Sequence, residues 1–226
     1  MENKVPIEKK VLSENDRLAD DIRARLREKR VLTLNLVSSP GSGKTSLLER
    51  TLQNLNHRLN LVLIAGDVQT ENDALRLTKA GGRIVRPIIT GGACHLDAKM
   101  VTKAMEGWDL TGVDVLLIEN VGNLVCPSSY DLGEDMKVAL ISTTEGDDKP
   151  LKYPAMFRRS SVLVINKIDL LGLSDFQLAR VKQHALQINP ALTTFEVSCR
   201  TGEGLQAWYQ WLIASVEQKK RTPSGS

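Results

Sequence analysis

The segment at 38–45, SSPGSGKT, constrains the fold of this chain more than any other part of its sequence. It follows a short apolar run at 31–37 and precedes a stretch whose leucines recur on one helical face, which predicts a strand, a glycine-rich turn and a helix. Glycines in such a turn let consecutive backbone N–H groups point at a phosphate, and the helix N-terminus adds partial positive charge. The segment departs from the pattern G-x-x-x-x-G-K-[ST] only where Ser38 replaces the first glycine. We therefore predict a phosphate-binding loop.

Further short apolar runs follow this loop, separated by stretches of helical periodicity. The predicted strands lie at 31–37, 61–65, 84–89, 113–118, 138–141, 162–165 and 195–197. Helices are predicted from residue 13, directly after the loop, and at 71–80, 97–107, 175–188 and 204–218. Strands buried on both faces and separated by helices indicate a parallel sheet. The predicted fold is α/β: a three-layer P-loop NTPase domain with a mostly parallel sheet flanked by helices.

Four residues are candidates for contact with the phosphates and their Mg²⁺ ion. Lys44 would reach the β- and γ-phosphates, and the Thr45 hydroxyl would bind Mg²⁺. Asp67 and Glu119 each stand at the carboxyl end of a predicted strand, where ligands bind in parallel sheets. Their carboxylates would hold Mg²⁺ directly or through its waters and orient the attacking water, although either acid alone is an ordinary polar residue after a strand. We predict Lys44, Asp67 and Glu119 as catalytic residues. The other loop positions predicted to contact the nucleotide are Gly41, Ser42, Gly43 and Ser46.

The segment NKID at 166–169 predicts which base is bound. A carboxylate at Asp169 would accept hydrogen bonds from both the N1–H and the N2 amine of guanine, a pair of donors that adenine lacks. Asn166 and Lys167 would complete this side of the site. Ser198 and Cys199 begin a loop, SCRTG, that follows a short predicted strand and would close over the base. We therefore predict GTP as substrate and GDP and phosphate as products.

Composition excludes several other classes of protein. The 30 basic and 27 acidic residues give a net charge of +3, and aromatic residues are 4% of the chain, so we expect neither nucleic acid nor a membrane as partner. No apolar run approaches the length of a membrane span and the N-terminus has no apolar signal region, so we predict a cytoplasmic protein. The 226 residues suit one domain. The predicted organisation is a flexible N-terminal segment at 1–12, a single P-loop GTPase domain at 13–217 and a flexible tail at 218–226.

Three residues are candidates for a second metal site, for an ion softer than Mg²⁺. Cys94 and His95 are adjacent, and Cys126 stands seven residues after Glu119. Thiolate and imidazole donors suit Zn²⁺ or Ni²⁺, but three donors fall short of the usual four, which leaves water, an open transfer site or ligands shared between two chains. Spacing alone leaves open that both cysteines pack in the core and that His95 caps the following helix. Cys126 lies on the segment just after Glu119, which we expect to respond to the γ-phosphate. If Cys126 is a metal ligand, hydrolysis of the nucleotide would therefore move it.

Several segments together form a combination that is not generic to P-loop proteins. They are NLVSSPGSGKTSLLE (35–49), GDVQTENDA (66–74), TGGACHLDA (90–98), LLIENVGNLVCPSSYDLGE (116–134), TTEGDDKPLKYPAMF (143–157) and NKIDLL (166–171). The combination resembles the HypB family, GTPases that assist nickel insertion into [NiFe]-hydrogenase. The CxxCGC motif and histidine-rich stretches that some members use to bind nickel tightly are not in this sequence.

The resemblance implies a SIMIBI-class GTPase that dimerises when GTP is bound. It implies a metal site at the dimer interface, built from Cys94, His95 and Cys126 of both chains, which resolves the shortage of donors. It also implies Thr45 as a direct Mg²⁺ ligand and Asp67 and Glu119 at Mg²⁺-linked positions. The implied partners are a HypA-like nickel metallochaperone and the hydrogenase large-subunit precursor.

The predicted function is a GTP-hydrolysing metallochaperone that delivers nickel for [NiFe]-hydrogenase maturation. We expect a low intrinsic rate of hydrolysis because no arginine finger is evident in the sequence. Whether Ni²⁺ or Zn²⁺ is the resident metal stays open, since both accept these donors. Two alternative functions also stay open: a urease-type nickel-insertion GTPase, whose metal motif is Cys-Pro-His rather than Cys94-His95, and a metal-binding scaffold with regulatory nucleotide binding. A P-loop ATPase or small-molecule kinase is a further possibility that competition by ATP would test.

Overall fold

A computed structural model, which describes residues 7–222, places all of the predicted strands in one sheet. The strands are β1 (Leu32–Ser38), β2 (Leu61–Asp67), β3 (Ile84–Ile89), β4 (Val115–Glu119), β5 (Met136–Ser142), β6 (Val162–Asn166) and β7 (Thr193–Glu196). They lie in the order β3-β2-β4-β1-β5-β6-β7, and every pairing is parallel. The central strands β1 and β4 are buried along their whole length, as their apolar runs predicted.

Helices cover both faces of this sheet. They are α1 (Ile7–Glu28), α2 (Lys44–Leu55), α3 (Asn72–Lys79), α4 (Ala98–Ala104), α5 (Lys149–Lys152), α6 (Pro154–Arg159), α7 (Leu178–Ile188) and α8 (Leu205–Arg221). One apolar cluster joins α2, α3 and α8 to one face, and two further clusters join α1 with α4 and α6 with α7 to the other. The three-layer α/β fold is confirmed.

Both ends of the domain are more helical than the sequence indicated. α1 begins at Ile7, within the segment 1–12 for which we predicted a flexible arm. α8 continues to Arg221, into the predicted tail 218–226, because Lys219 pairs with Asp135 and Lys220 pairs with Asp114. Residues 1–6 and 223–226 lie outside the described residues. No helix within 7–222 combines the length and the apolar character needed to cross a membrane.

The strand order decides where a ligand can bind. β1 lies between β4 and β5. The connection from β1 runs towards β2, whereas the connection from its neighbour β5 runs towards β6, in the opposite direction along the sheet. A crevice opens at such a point, outside the carboxyl ends of the strands. Because every strand is parallel, the residues that follow β1, β2, β4 and β6 all meet at this one edge.

Candidate nucleotide and metal site

The phosphate-binding loop has the backbone geometry that its glycines allow. Gly41 and Gly43 have φ angles of +75° and +100°, in the left-handed region that L side chains rarely adopt. A Cβ atom on Gly43 would lie 2.3 Å from Nδ2 of Asn166, which donates a hydrogen bond to the Ser42 carbonyl at 2.9 Å. Position 43 therefore requires glycine both for its backbone angle and for the close approach of the loop to β6.

Lys44, Thr45 and Glu119 form the buried centre of the site. The Lys44 ammonium donates to Oγ of Ser38 at 3.0 Å, and the Thr45 hydroxyl donates to Oε1 of Glu119 at 2.7 Å. Burial raises the pKa of Glu119 to about 7, while Lys44 and the Thr45 hydroxyl oppose this shift. Burial also lowers the pKa of Lys44, against the attraction of Glu119. The second oxygen of Glu119, Oε2, is buried with no hydrogen-bond partner among the described residues, so an oxygen suited to a hard cation stands beside Thr45.

Asp67 shares this site but its carboxylate faces its own loop. Oδ2 accepts from the Thr70 hydroxyl at 2.7 Å, and Oδ1 accepts from the backbone N–H of Val68. A cavity of about 430 Å³ brings Asp67 together with Glu119 and the phosphate-binding loop. The predicted site residues that line this cavity are Gly41, Gly43, Lys44, Thr45, Ser46, Asp67 and Glu119.

The same cavity is lined by two residues that the sequence reasoning missed, Asp73 and Arg76. The Arg76 guanidinium donates to both carboxylate oxygens of Glu49, at 3.0 and 2.7 Å, and to the Ser46 hydroxyl at 3.3 Å. The spacing i, i+3 at the start of a helix that follows a strand end would have indicated that both face the crevice.

On the opposite rim of the phosphate-binding loop, Glu145 and Lys149 contact its serines. Oε1 of Glu145 accepts from the Ser42 hydroxyl at 2.6 Å, and Lys149 donates to the Ser39 hydroxyl at 3.0 Å. Glu145 and Lys149 also form an ion pair at 3.0 Å. Sequence reasoning had assigned Glu145 no role.

The predicted base site forms a second cavity next to the first. This cavity, of about 360 Å³, shares Gly41, Gly43 and Ser46 with the phosphate cavity and is also lined by Asn166, Lys167, Asp169 and Cys199. Oδ1 of Asn166 accepts from the backbone N–H of Cys199 at 3.1 Å, and the buried Ser198 hydroxyl donates to Asp169 at 2.5 Å. Burial raises the pKa of the Cys199 thiol to about 12, and the residue packs in the apolar cluster that joins α2 and α8 to the sheet.

The candidate metal ligands come together at the same edge of the sheet. Cys94 and His95 follow β3, and Cys126 begins a 3₁₀ turn after β4. The two Sγ atoms are 2.9 Å apart, Sγ of Cys94 lies 3.8 Å from Nδ1 of His95, and all three ligand atoms lie within 4.8 Å of one another. Burial lowers the pKa of His95, which favours the neutral imidazole that binds metals. Within residues 7–222 this is the only group of three or more such donors.

The alternative of core packing does not describe these residues. Cys94 is exposed and Cys126 is half-buried, whereas Cys199 is the buried cysteine. The cap of α4 is Asp97, whose carboxylate accepts from the backbone N–H of Met100 at 2.7 Å, and not His95. Core packing and helix capping therefore do not account for Cys94, His95 and Cys126, and their arrangement is that of a group able to hold a metal ion.

Comparison with known proteins identifies the family. Residues 32–196 match the family model described as CobW/HypB/UreG, nucleotide-binding domain. The hydrogenase maturation factor HypB of Rhizobium leguminosarum bv. viciae is 49% identical over 215 residues, which cover 95% of this chain and 72% of that protein. The chain belongs to the HypB family. Membership assigns the domain to the P-loop NTPases, which bind and hydrolyse nucleotides.

Solved structures of HypB share the fold over nearly the whole chain. HypB from Helicobacter pylori in complex with nickel has a TM-score of 0.86 and 38% identity, covering 92% of this chain and 98% of that one. HypB from Archaeoglobus fulgidus has a TM-score of 0.84 and 38% identity, covering 90% and 99%. The resemblance predicted from the motifs is therefore confirmed at the level of the family and the fold.

Proposed function

We propose that this chain is a GTP-hydrolysing metallochaperone that delivers nickel for [NiFe]-hydrogenase maturation. The observation that carries the proposal is the group formed by Cys94, His95 and Cys126, hereafter the metal group, at the sheet edge that also holds the phosphate-binding loop. Cys126 follows Glu119 by seven residues, so a ligand of the metal group lies on the segment that leaves the phosphate site.

The donor chemistry supports nickel as cargo. Thiolate and imidazole ligands bind Ni²⁺ and Zn²⁺ well, and two exposed or half-exposed ligands leave room for exchange. Three donors from one chain become six when two chains meet at this surface, so GTP-dependent dimerisation would complete the site. The nickel complex of the Helicobacter pylori relative supports this assignment.

The nucleotide chemistry follows from the buried centre and the base cavity. Asp169 would pair with the two donors of guanine, and Lys44 would bind the terminal phosphates. Thr45 and Glu119 would hold Mg²⁺, which supplies positive charge to the β- and γ-phosphates. Arg76 lies in the phosphate cavity but is already paired with both oxygens of Glu49, which agrees with a low intrinsic rate of hydrolysis.

The proposed partners follow from the family and not from a surface of this chain. A HypA-like metallochaperone would exchange nickel with the metal group, and the hydrogenase large-subunit precursor would receive it. The reaction cycle would take place in the cytoplasm.

Nickel binding measured against nucleotide state tests the proposal. Reduced protein is dialysed against Ni²⁺ with Mg²⁺ and either GDP or a non-hydrolysable GTP analogue, and bound nickel and molecular mass are measured together. We expect a dimer and tighter nickel binding with the analogue, and loss of both nickel binding and its nucleotide dependence in Cys126→Ala. Val125→Ala is the matched control, because it truncates the exposed neighbour of Cys126 and leaves all three residues of the metal group in place. Nickel binding by Cys126→Ala equal to that of the wild type would refute the metal site.

A further inference from the structure

One buried side chain, that of Asn120, joins the end of the phosphate site to the metal group. Asn120 follows Glu119 directly and is only 1% exposed. Its Oδ1 accepts hydrogen bonds from the backbone N–H of Leu96 at 3.1 Å and of Val121 at 2.9 Å. Leu96 is the neighbour of His95. The Asn120 side chain therefore connects the backbone next to a metal ligand with the backbone next to Glu119.

The other end of the Asn120 amide is anchored in β1. Its Nδ2 donates to Oδ1 of Asn35 at 3.1 Å, and Asn35 is fully buried in the strand that leads into the phosphate-binding loop. Asn35 donates in turn to Oε1 of Glu134 at 3.2 Å, and Glu134 forms a buried ion pair with Lys137. Leaving a buried polar group unpaired is unfavourable, so such a network favours one arrangement of its members.

The same network also contacts the metal group through a second residue, Tyr130. Lys137 also donates to the backbone carbonyl of Tyr130 at 2.8 Å. The Tyr130 ring stacks on the His95 ring, with centroids 3.8 Å apart and planes at 29°. His95 is therefore positioned twice by the same buried network, through the backbone of Leu96 and through the ring of Tyr130.

We propose that Asn120 is the positioning residue that couples the state of the bound nucleotide to the nickel affinity of the metal group. This inference rests on the proposed function, in which nickel is the cargo and Glu119 lies at the γ-phosphate side. A shift of the backbone at Glu119 moves Asn120, and the Asn120 amide moves Leu96 and with it His95. Asn123 adds a second link by donating to the carbonyl of Cys94 at 3.2 Å, but this link is exposed, so water competes for it.

The test compares the nickel Kd with GDP and with a non-hydrolysable GTP analogue, in the reduced, Mg²⁺-loaded full chain, at a protein concentration at which light scattering shows a monomer with both nucleotides, so that donors from a second chain do not contribute. We expect the wild type to show a ratio within about 5- to 150-fold, the usual range of coupling between two sites. Asn120→Ala is expected to bring the ratio within about twofold of unity. By reciprocity, nickel would then also lose its effect on the affinity for the analogue.

Asn15→Ala is the matched control. Asn15 is also buried, and its amide also bonds two backbone groups, the N–H of Ala98 at 2.8 Å and the carbonyl of Asp131 at 2.9 Å. Asp131 lies on the same connection between β4 and β5 as Asn120, but among the described residues Asn15 has no bond to 119–121, the residues that leave the phosphate site. We expect Asn15→Ala to lower stability and to keep the wild-type ratio, because a merely structural role does not transmit the nucleotide state.

The outcomes separate the inference from the proposed function. A wild-type ratio that persists in Asn120→Ala, or that is lost equally in Asn15→Ala, overturns the role of Asn120 and leaves the proposed function standing. Equal nickel affinity with both nucleotides in the wild-type monomer overturns the inference and leaves the nucleotide dependence that dimerisation would supply standing. If Asn120→Ala does not fold, Asn120→Ser is the second variant: it leaves a smaller void, and its hydroxyl oxygen stands one bond closer to the backbone than Oδ1 and does not hold Leu96. A ratio within about twofold of unity is again expected, and the wild-type ratio in this variant overturns the inference.

Discussion

Glu119 should make the stability of the nucleotide-free protein fall as the pH rises through the weakly acidic range. Burial raises the pKa of its carboxyl from 4.5 to about 7 in the folded protein. Between those two values the unfolded chain releases the proton while the folded protein retains it, so rising pH stabilises the unfolded state relative to the folded one. A shift of one pKa unit corresponds to about 1.4 kcal/mol, so the full effect is about 3 kcal/mol, of which about 2.5 kcal/mol falls between pH 5 and 8.

Urea unfolding of Mg²⁺-free protein in EDTA, at pH 5 and at pH 8, measures this contribution. The quantity of interest is the loss of unfolding free energy between the two pH values in the wild type minus the same loss in Glu119→Gln, which has no carboxyl to titrate. We expect a difference of about 2.5 kcal/mol, or roughly 1 M in the urea midpoint at an m-value of about 2–3 kcal/mol/M. Comparing the pH dependence removes any constant cost of placing an amide at this position.

Saturating Mg²⁺ and GDP provide the second arm of the experiment. A cation beside Oε2 of Glu119 favours the ionised carboxylate, so the wild-type loss of stability with rising pH should shrink when the ligands are present. Equal pH dependence of the wild type and Glu119→Gln in EDTA, within about 0.5 kcal/mol, would show that burial does not control this carboxyl and would refute the reasoning.

Two further substitutions test the loop and the base site. Gly43→Ala should abolish binding of a fluorescent GDP analogue, because the added Cβ would lie 2.3 Å from Nδ2 of Asn166; Gly107→Ala, at φ +73° with open space around its Cβ position, is a control that keeps binding. Asp169→Asn should weaken GTP by at least about 100-fold and favour xanthosine triphosphate, because an amide donates one hydrogen bond and accepts another where the carboxylate accepts two. Unchanged competition by GTP and by xanthosine triphosphate would contradict the assignment of Asp169.

The sequence predicted the parallel sheet and the two nucleotide motifs because these depend on local patterns. Apolar runs of strand length mark the buried strands, and the loop at 38–45 has its glycines where the backbone needs positive φ angles. The prediction that the strands are parallel also placed Asp67, Glu119 and Asp169 at one edge of the sheet, because the carboxyl ends of parallel strands lie at the same edge. The boundaries were less accurate: α8 continues to Arg221 because lysines in its last turns pair with acids more than 80 residues earlier in the chain.

The tertiary structure alone decided which residues meet across the sequence. Cys94 and Cys126 are 32 residues apart, and spacing left their role open until the order of β3, β2 and β4 brought their Sγ atoms to 2.9 Å. Asn120 drew no attention in the sequence, because an asparagine after a strand is ordinary until its amide is seen to join Leu96 to Asn35. Local periodicity encodes the elements and their buried faces, but contacts between distant loops depend on strand order and side-chain packing, which no local pattern contains.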